Sequence, residues 1–232
     1  MKFSKTFLAS ALLAATGVAQ AEISANIAAV SDYYFRGVNQ TNGAAVQGGL
    51  DYANESGFYL GTWLSNVDFD SKATVETDIY AGFAGELGSF GYDLSALYYW
   101  YPGAGGNEQG GDLDYAEVAV SGSYAMFTAT FAYTVWGEVN DAPFDSGDMY
   151  YALSADFPLA DGFTLSPVVG RYDFDNTVVS PGPETETASY VHWGAALAKD
   201  VGEFGSVSVN YDQTDIDGND GPKMWLGWAK EF

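Results

Sequence analysis

From Glu22 onward, apolar and polar residues alternate with strict period two in segment after segment, and nothing else in the chain constrains its fold as tightly. A strand sends successive side chains to opposite faces, so these segments read as strands with one apolar face. The clearest runs from Val75 to Leu87, with Val75, Ile79, Ala81, Phe83 and Leu87 on one face and Glu76, Asp78, Tyr80 and Glu86 on the other. In the next, Tyr92, Leu94, Ala96, Tyr98 and Trp100 oppose Asp93, Ser95, Leu97 and Tyr99. About twelve such segments recur, each near the length of a tilted membrane-spanning strand. The connections alternate as well. Short turns fall near Asn54 to Gly57, Gly88 to Phe90, Ala125, Ala160 to Gly162 and Gly202 to Phe204. Between them lie longer polar connections, Gly37 to Gly43, Asp68 to Ala73, Pro102 to Asp112, Gly137 to Gly147, Asp175 to Glu186 and Gln213 to Gly221. The pattern predicts an all-β fold, a transmembrane antiparallel up-and-down β-barrel of about twelve strands with both termini on the short-turn side.

The N-terminus places that barrel outside the cytoplasm. Lys2 and Lys5 precede an apolar run from Phe7 to Ala19, and Ala19-Gln20-Ala21 ends it with small residues two apart. This predicts a cleaved signal peptide over 1–21 and a barrel over 22–232. No later stretch approaches the roughly 20 apolar residues of a spanning helix, so a membrane span must be made of strands. The predicted location is the bacterial outer membrane, with the N- and C-termini periplasmic. The chain has no cysteine, hence no disulfide or thiolate site. Once Lys2 and Lys5 are removed, six basic residues face 31 acidic ones, which excludes a nucleic-acid surface. A secreted soluble β-sandwich would also alternate. Here, however, aromatics cluster near segment ends, Tyr98 with Trp100, Trp225 with Trp228 and Phe157 with Phe163, as membrane-interface girdles do.

Two segments read poorly. Between Phe58 and Val67 both faces carry apolar residues, and Pro167 interrupts Phe163 to Phe174, where it cannot donate to a ladder. A bulge at Pro167 would turn Val168, Tyr172 and Phe174 outward and bring Arg171 inward.

The last nine residues, Met224-Trp-Leu-Gly-Trp-Ala-Lys-Glu-Phe232, set Leu226, Trp228 and the terminal Phe232 on one row. This resembles the closing strand of bacterial outer-membrane barrels, which ends on an aromatic residue. The resemblance implies recognition by the outer-membrane assembly machinery through this strand. Lys230 departs from the usual apolar residue and would snorkel to the headgroup layer. At the other end, Ser31-Asp32-Tyr33-Tyr34-Phe35-Arg36-Gly37, followed by Val46-Gln47-Gly48-Gly49-Leu50-Asp51-Tyr52, is similar to the opening of the TorF porin family. That resemblance implies a barrel conducting small solutes, without naming a solute or pore residues.

With the apolar row facing lipid, the inward row holds Asp32, Arg36, Asp51, Glu76, Asp78, Asp93, Glu117, Asp156 and Asp212, with Lys223 and Arg171 as counter-charges. The expected pore-lining residues are Arg36, Glu76, Asp78, Asp93, Glu117 and Arg171. Rings of carboxylate favour cations, and twelve strands enclose a narrow lumen. Acids also crowd the long connections, among them Asp68, Asp70, Glu108, Asp112, Asp141 and Glu184. Such loops are polar by default, and divalent cations would bridge them to lipopolysaccharide, the expected partner beside membrane lipid and small solutes. Asp215 to Gly221 lacks the Gly and Glu that a calcium loop needs at its sixth and twelfth places, so it reads as a turn. His192 is the single histidine, and no cofactor or metal pattern accompanies it. The sequence therefore points to a porin for small neutral or cationic solutes, and away from an enzyme. A plugged structural or adhesive barrel and a lipid-modifying barrel enzyme are the alternatives.

Overall fold

The structure, a computed structural model, describes residues 22–69, 72–104, 113–139, 143–175, 177–178, 186–187 and 189–232. The predicted signal peptide and the loop acids Asp70, Glu108, Asp112, Asp141 and Glu184 lie outside the described residues.

The strands are β1 Glu22–Val30, β2 Ala45–Ala53, β3 Phe58–Asn66, β4 Val75–Leu87, β5 Phe90–Trp100 and β6 Tyr115–Tyr124. They continue as β7 Phe127–Gly137, β8 Met149–Ala155, β9 Phe163–Asp173, β10 Tyr190–Asp200, β11 Ser206–Thr214 and β12 Lys223–Glu231. Phe157–Pro158 prolongs β8 along β9. Each strand pairs antiparallel with the next, and β1 pairs with β12 from Asn26 opposite Glu231 to Val30 opposite Gly227. The sheet is thus a closed ring of twelve strands. Closure gives every strand two neighbours, which a sheet in hydrocarbon requires because lipid offers nothing to a bare N–H or C=O. The chain enters β1 and leaves β12 at the end of the barrel that carries the short turns.

Side chains sort as the alternation demands. Leu50, Ile79, Phe83, Leu94, Leu153, Val209 and Leu226 stand exposed around the outside. A water-soluble sandwich would bury such a row; a barrel in lipid presents it. Among the described residues no helix is long and apolar enough to cross a membrane.

The two doubtful segments resolve without a bulge at Pro167. In β3 the aromatic Tyr59 and Trp63 share the inward row with Ser65, while Leu60 and Leu64 face out. Through Pro167, β9 keeps one register with β10, from Phe163 opposite Lys199 to Tyr172 opposite Tyr190. Proline removes a donor on the β8 side. That ladder is interrupted between Ser154–Val168 and Phe157–Leu165, but both strands skip the same number of residues. Alternation is therefore preserved. Tyr172 and Phe174 are buried inside, and Arg171 stays outside, its side chain 50% exposed and ion-paired to Asp173. The expected inward turn of Arg171 is corrected accordingly. A bulge does occur, in β7: Ala116 opposes Trp136 while Glu117 opposes Thr134, leaving Val135 as the extra residue. Val135 and Trp136 consequently both face outward.

Candidate functional site

The first long connection folds into the barrel. Tyr34–Phe35 pairs with Val38–Asn39, and Gln40 N–H donates to Tyr33 C=O at 2.7 Å to close a small hairpin. Thr41 stiffens its base, its hydroxyl accepting from Tyr33 N–H at 3.0 Å and donating to Gly43 C=O at 2.7 Å. The tip takes left-handed conformations at Arg36 (φ 48°) and Gly37 (φ 82°). Only glycine fits at the second, since a Cβ there would lie 2.6 Å from the Cβ of His192 in the barrel wall.

That tip carries Arg36 into the lumen. Its guanidinium donates through both Nη atoms to the two carboxylate oxygens of Glu117, at 2.8 and 2.7 Å. It lies over the Tyr150 ring at 4.0 Å, with the Phe35 and Tyr172 rings at 4.7 and 4.9 Å. The hydroxyls of Tyr99 and Tyr172 also donate to Glu117, each at 3.1 Å. One side chain from the first connection thereby touches groups from β6, β8 and β9. Side-chain exposure is 6% for Arg36 and 1% for Glu117. Burial works against the arginine's charge, but the adjoining Glu117 carboxylate outweighs it and raises the Arg36 pKa. A planar fork on a carboxylate, walled by rings, is the setting in which arginine stays charged away from water.

Elsewhere in the lumen, carboxylates are met by aromatic donors. Tyr59 donates to both oxygens of Asp93, at 3.0 and 2.8 Å, reaching from β3 to β5. Tyr80 on β4 donates to Asp51 on β2, which also accepts from Asn26 at 3.2 Å. Trp225 Nε1 donates to Asp212 at 2.7 Å. The two tyrosines that skip a strand pass over glycine. A Cβ on Gly82 would fall 2.5 Å from the Tyr59 hydroxyl, and one on Gly61 would fall 2.6 Å from the Tyr80 ring. His192 follows the same rule. Its Nε2 meets the Tyr150 hydroxyl at 2.9 Å above Gly170.

The expected site residues therefore separate. Arg36 and Glu117 form one unit. Asp93 belongs to the Tyr59 pair, nearer the short-turn end, and Glu76 and Asp78 sit side by side on the inward row of β4. Of the four expected acids, Glu117 alone is bonded to Arg36 among the described residues. Lys223 stands on the inward row opposite Asp212, Asp156 accepts from Ser166 at 2.5 Å, and Asp32 accepts from Ser31 at 3.0 Å. Leu226, Trp228 and Phe232 lie on the outer row, with Trp228 Nε1 anchored to Phe204 C=O at 2.8 Å. Sequence reading missed the tyrosine donors. Their signal was an inward tyrosine level with a glycine on the neighbouring strand and an acid on the strand beyond.

Residues 14–223 match the family described as "Bacterial protein of unknown function (Gcw_chp)". The chain belongs to that family. No curated protein matches the sequence. Among solved structures, the KdgM porin superposes with a TM-score of 0.56 at 7% identity, covering 90% of this chain and 98% of its own. The NanC porin gives 0.55 at 10% identity over 90% and 98%. A KdgM porin in complex with disordered oligogalacturonate gives 0.55 at 7% identity over 90% and 97%. At these identities the likeness is one of fold, and the fold shared with this Gcw_chp chain is that of outer-membrane porin barrels.

Proposed function

We propose that this Gcw_chp chain is an outer-membrane channel of the porin type, passing small neutral or cationic solutes by diffusion through a narrow acidic lumen. The observation that carries the reading is the closed ring itself, apolar outside and lined within by Asp51, Glu76, Asp78, Asp93, Glu117 and Asp212. The opening Ser31-to-Gly37 segment, similar to the TorF porins, agrees with it. In this reading 1–21 is a cleaved signal peptide, the short turns and both termini are periplasmic, and the closing strand is read by the assembly machinery. Lipopolysaccharide contacts the acidic loops through divalent cations. The KdgM complex carries oligogalacturonate, an acidic ligand. This lumen, with its excess of carboxylates over Arg36 and Lys223, suits the opposite charge.

A second reading, a non-conducting structural barrel, is favoured by one observation: the Arg36–Glu117 unit and its rings fill the lumen beside the long connections. The lipid-modifying enzyme reading finds no support at His192, which faces inward and bonds to Tyr150 rather than to a serine on the outer surface. Single-channel recording of the folded protein in planar bilayers, with the reversal potential under a KCl gradient, separates the first two. Discrete cation-selective steps, with selectivity weakened in the Glu76→Gln/Asp78→Asn variant, are expected. Silence from folded protein overturns the channel and leaves the structural barrel.

A further inference from the structure

Most inward carboxylates have their donors supplied by the protein: Asp51 by Tyr80 and Asn26, Asp93 by Tyr59, Glu117 by Arg36, Tyr99 and Tyr172, Asp212 by Trp225. Glu76 and Asp78 break that pattern. Glu76 is 2% exposed and Asp78 9%. Glu76 meets the hydroxyls of Tyr101 and, at a long 3.4 Å, Tyr33, but Glu76 Oε2 and Asp78 Oδ1 are buried with no hydrogen-bond partner. The two residues are alternate positions on one strand, so their Cα atoms lie about 7 Å apart on the same face. Around them the register brings Ser65 and Trp63 from β3 and Tyr99 from β5, none of them cationic. Among the described residues Arg36 spends both Nη atoms on Glu117, and the other ion pair, Arg171–Asp173, is outside the barrel.

Two adjacent buried carboxylates, each with one oxygen left without a donor, are a costly arrangement, and among the described residues no other acid has a buried oxygen left so. We infer that Glu76 and Asp78, with the Tyr33 hydroxyl, form a binding site for a partly hydrated divalent cation. Two protein carboxylates supply the matching charge. Among the described residues no third acid or histidine joins them in ligating geometry. That ligand set suits a cation such as Mg2+, which keeps several waters and is commonly held by one or two carboxylates. With so few protein ligands the ion exchanges readily, so the pair acts as a resting place for cations in transit. The inference deepens the channel reading and rests on it for the route by which the ion arrives.

The test is thermal unfolding of the folded protein in detergent, with MgCl2 titrated against NaCl at matched ionic strength. The wild type is expected to gain Tm in a saturable way, and Glu76→Gln/Asp78→Asn to lose the response while keeping its fold. If the double variant does not fold, Asp78→Asn alone is used, and saturable binding of one Mn2+ per wild-type chain, reduced in that variant, is sought by electron paramagnetic resonance. An undiminished response in the variant would assign the ion to the acidic loops and overturn the site. No response in the folded wild type would mean a protonated pair and overturn it equally. A barrel that never conducts yet still shows the Mg2+ shift at these residues would refute the channel and leave the site standing.

Discussion

The two halves of the lumen are built from the same sheet and filled differently. Beside the long connections the inward residues are Tyr99, Glu117, Tyr150, Tyr172, Tyr190 and Trp225, with the Arg36 hairpin packed between them. Beside the short turns they are Ser121, Thr130, Ser154, Thr164, Ser166 and Ser208, punctuated by the Tyr59–Asp93 pair. Strand number fixes the ring, but side-chain volume fixes what can pass. One half is thus filled by a folded-in loop and a ring of phenols and the other is lined by small hydroxyls, so in the proposed channel the cut-off would lie in the first.

The hairpin is where the two halves differ most. Replacing residues 33–40 by a short Gly-Ser link should raise single-channel conductance several-fold, roughly as expected for removing a constriction; an unchanged conductance would place the narrowest section elsewhere. Next in size is Arg36→Met. It strands Glu117 without its cation and should cost about 3–5 kcal/mol in urea unfolding from detergent, whereas Arg36→Met with Glu117→Gln should recover most of that loss. In the other half, Gly82→Ala pushes a methyl into the Tyr59 hydroxyl and separates it from Asp93. About 1–3 kcal/mol should be lost, with conductance little changed. Smallest is Arg171→Gln, whose exposed ion pair outside the barrel should matter by less than about 1 kcal/mol in the same unfolding assay.

How far the sequence could be read follows from what each feature depends on. Period-two patterning depends on the strand alone, so Val75 to Leu87 and Tyr92 to Trp100 could be assigned face by face, and the turns at Gly88 and Ala125 fell where the pattern stopped. Pro167 misled because a missing donor looks the same whether or not a residue is added; the count on β8 decides, and that is visible only after pairing. The Val135 bulge hides in an apolar Val-Trp step that either register accepts. The inward fold of the first connection was beyond local reading, because its anchor, Glu117, lies 81 residues away from Arg36. Aromatic residues suggested interface girdles, but Tyr59, Tyr80, Tyr99, Tyr172 and Trp225 point inward and donate to buried acids.

The seam of the ring has a consequence in time. Ser31 N–H donates to Leu226 C=O at 2.9 Å, and Leu226 N–H returns to the Ser31 hydroxyl across 195 positions of sequence. Contacts of such separation form late, because loop closure must precede any gain from them. The Arg36 hairpin follows directly on the strand that waits for this seam. The wall around it is therefore complete only once the last strand has zipped onto the first.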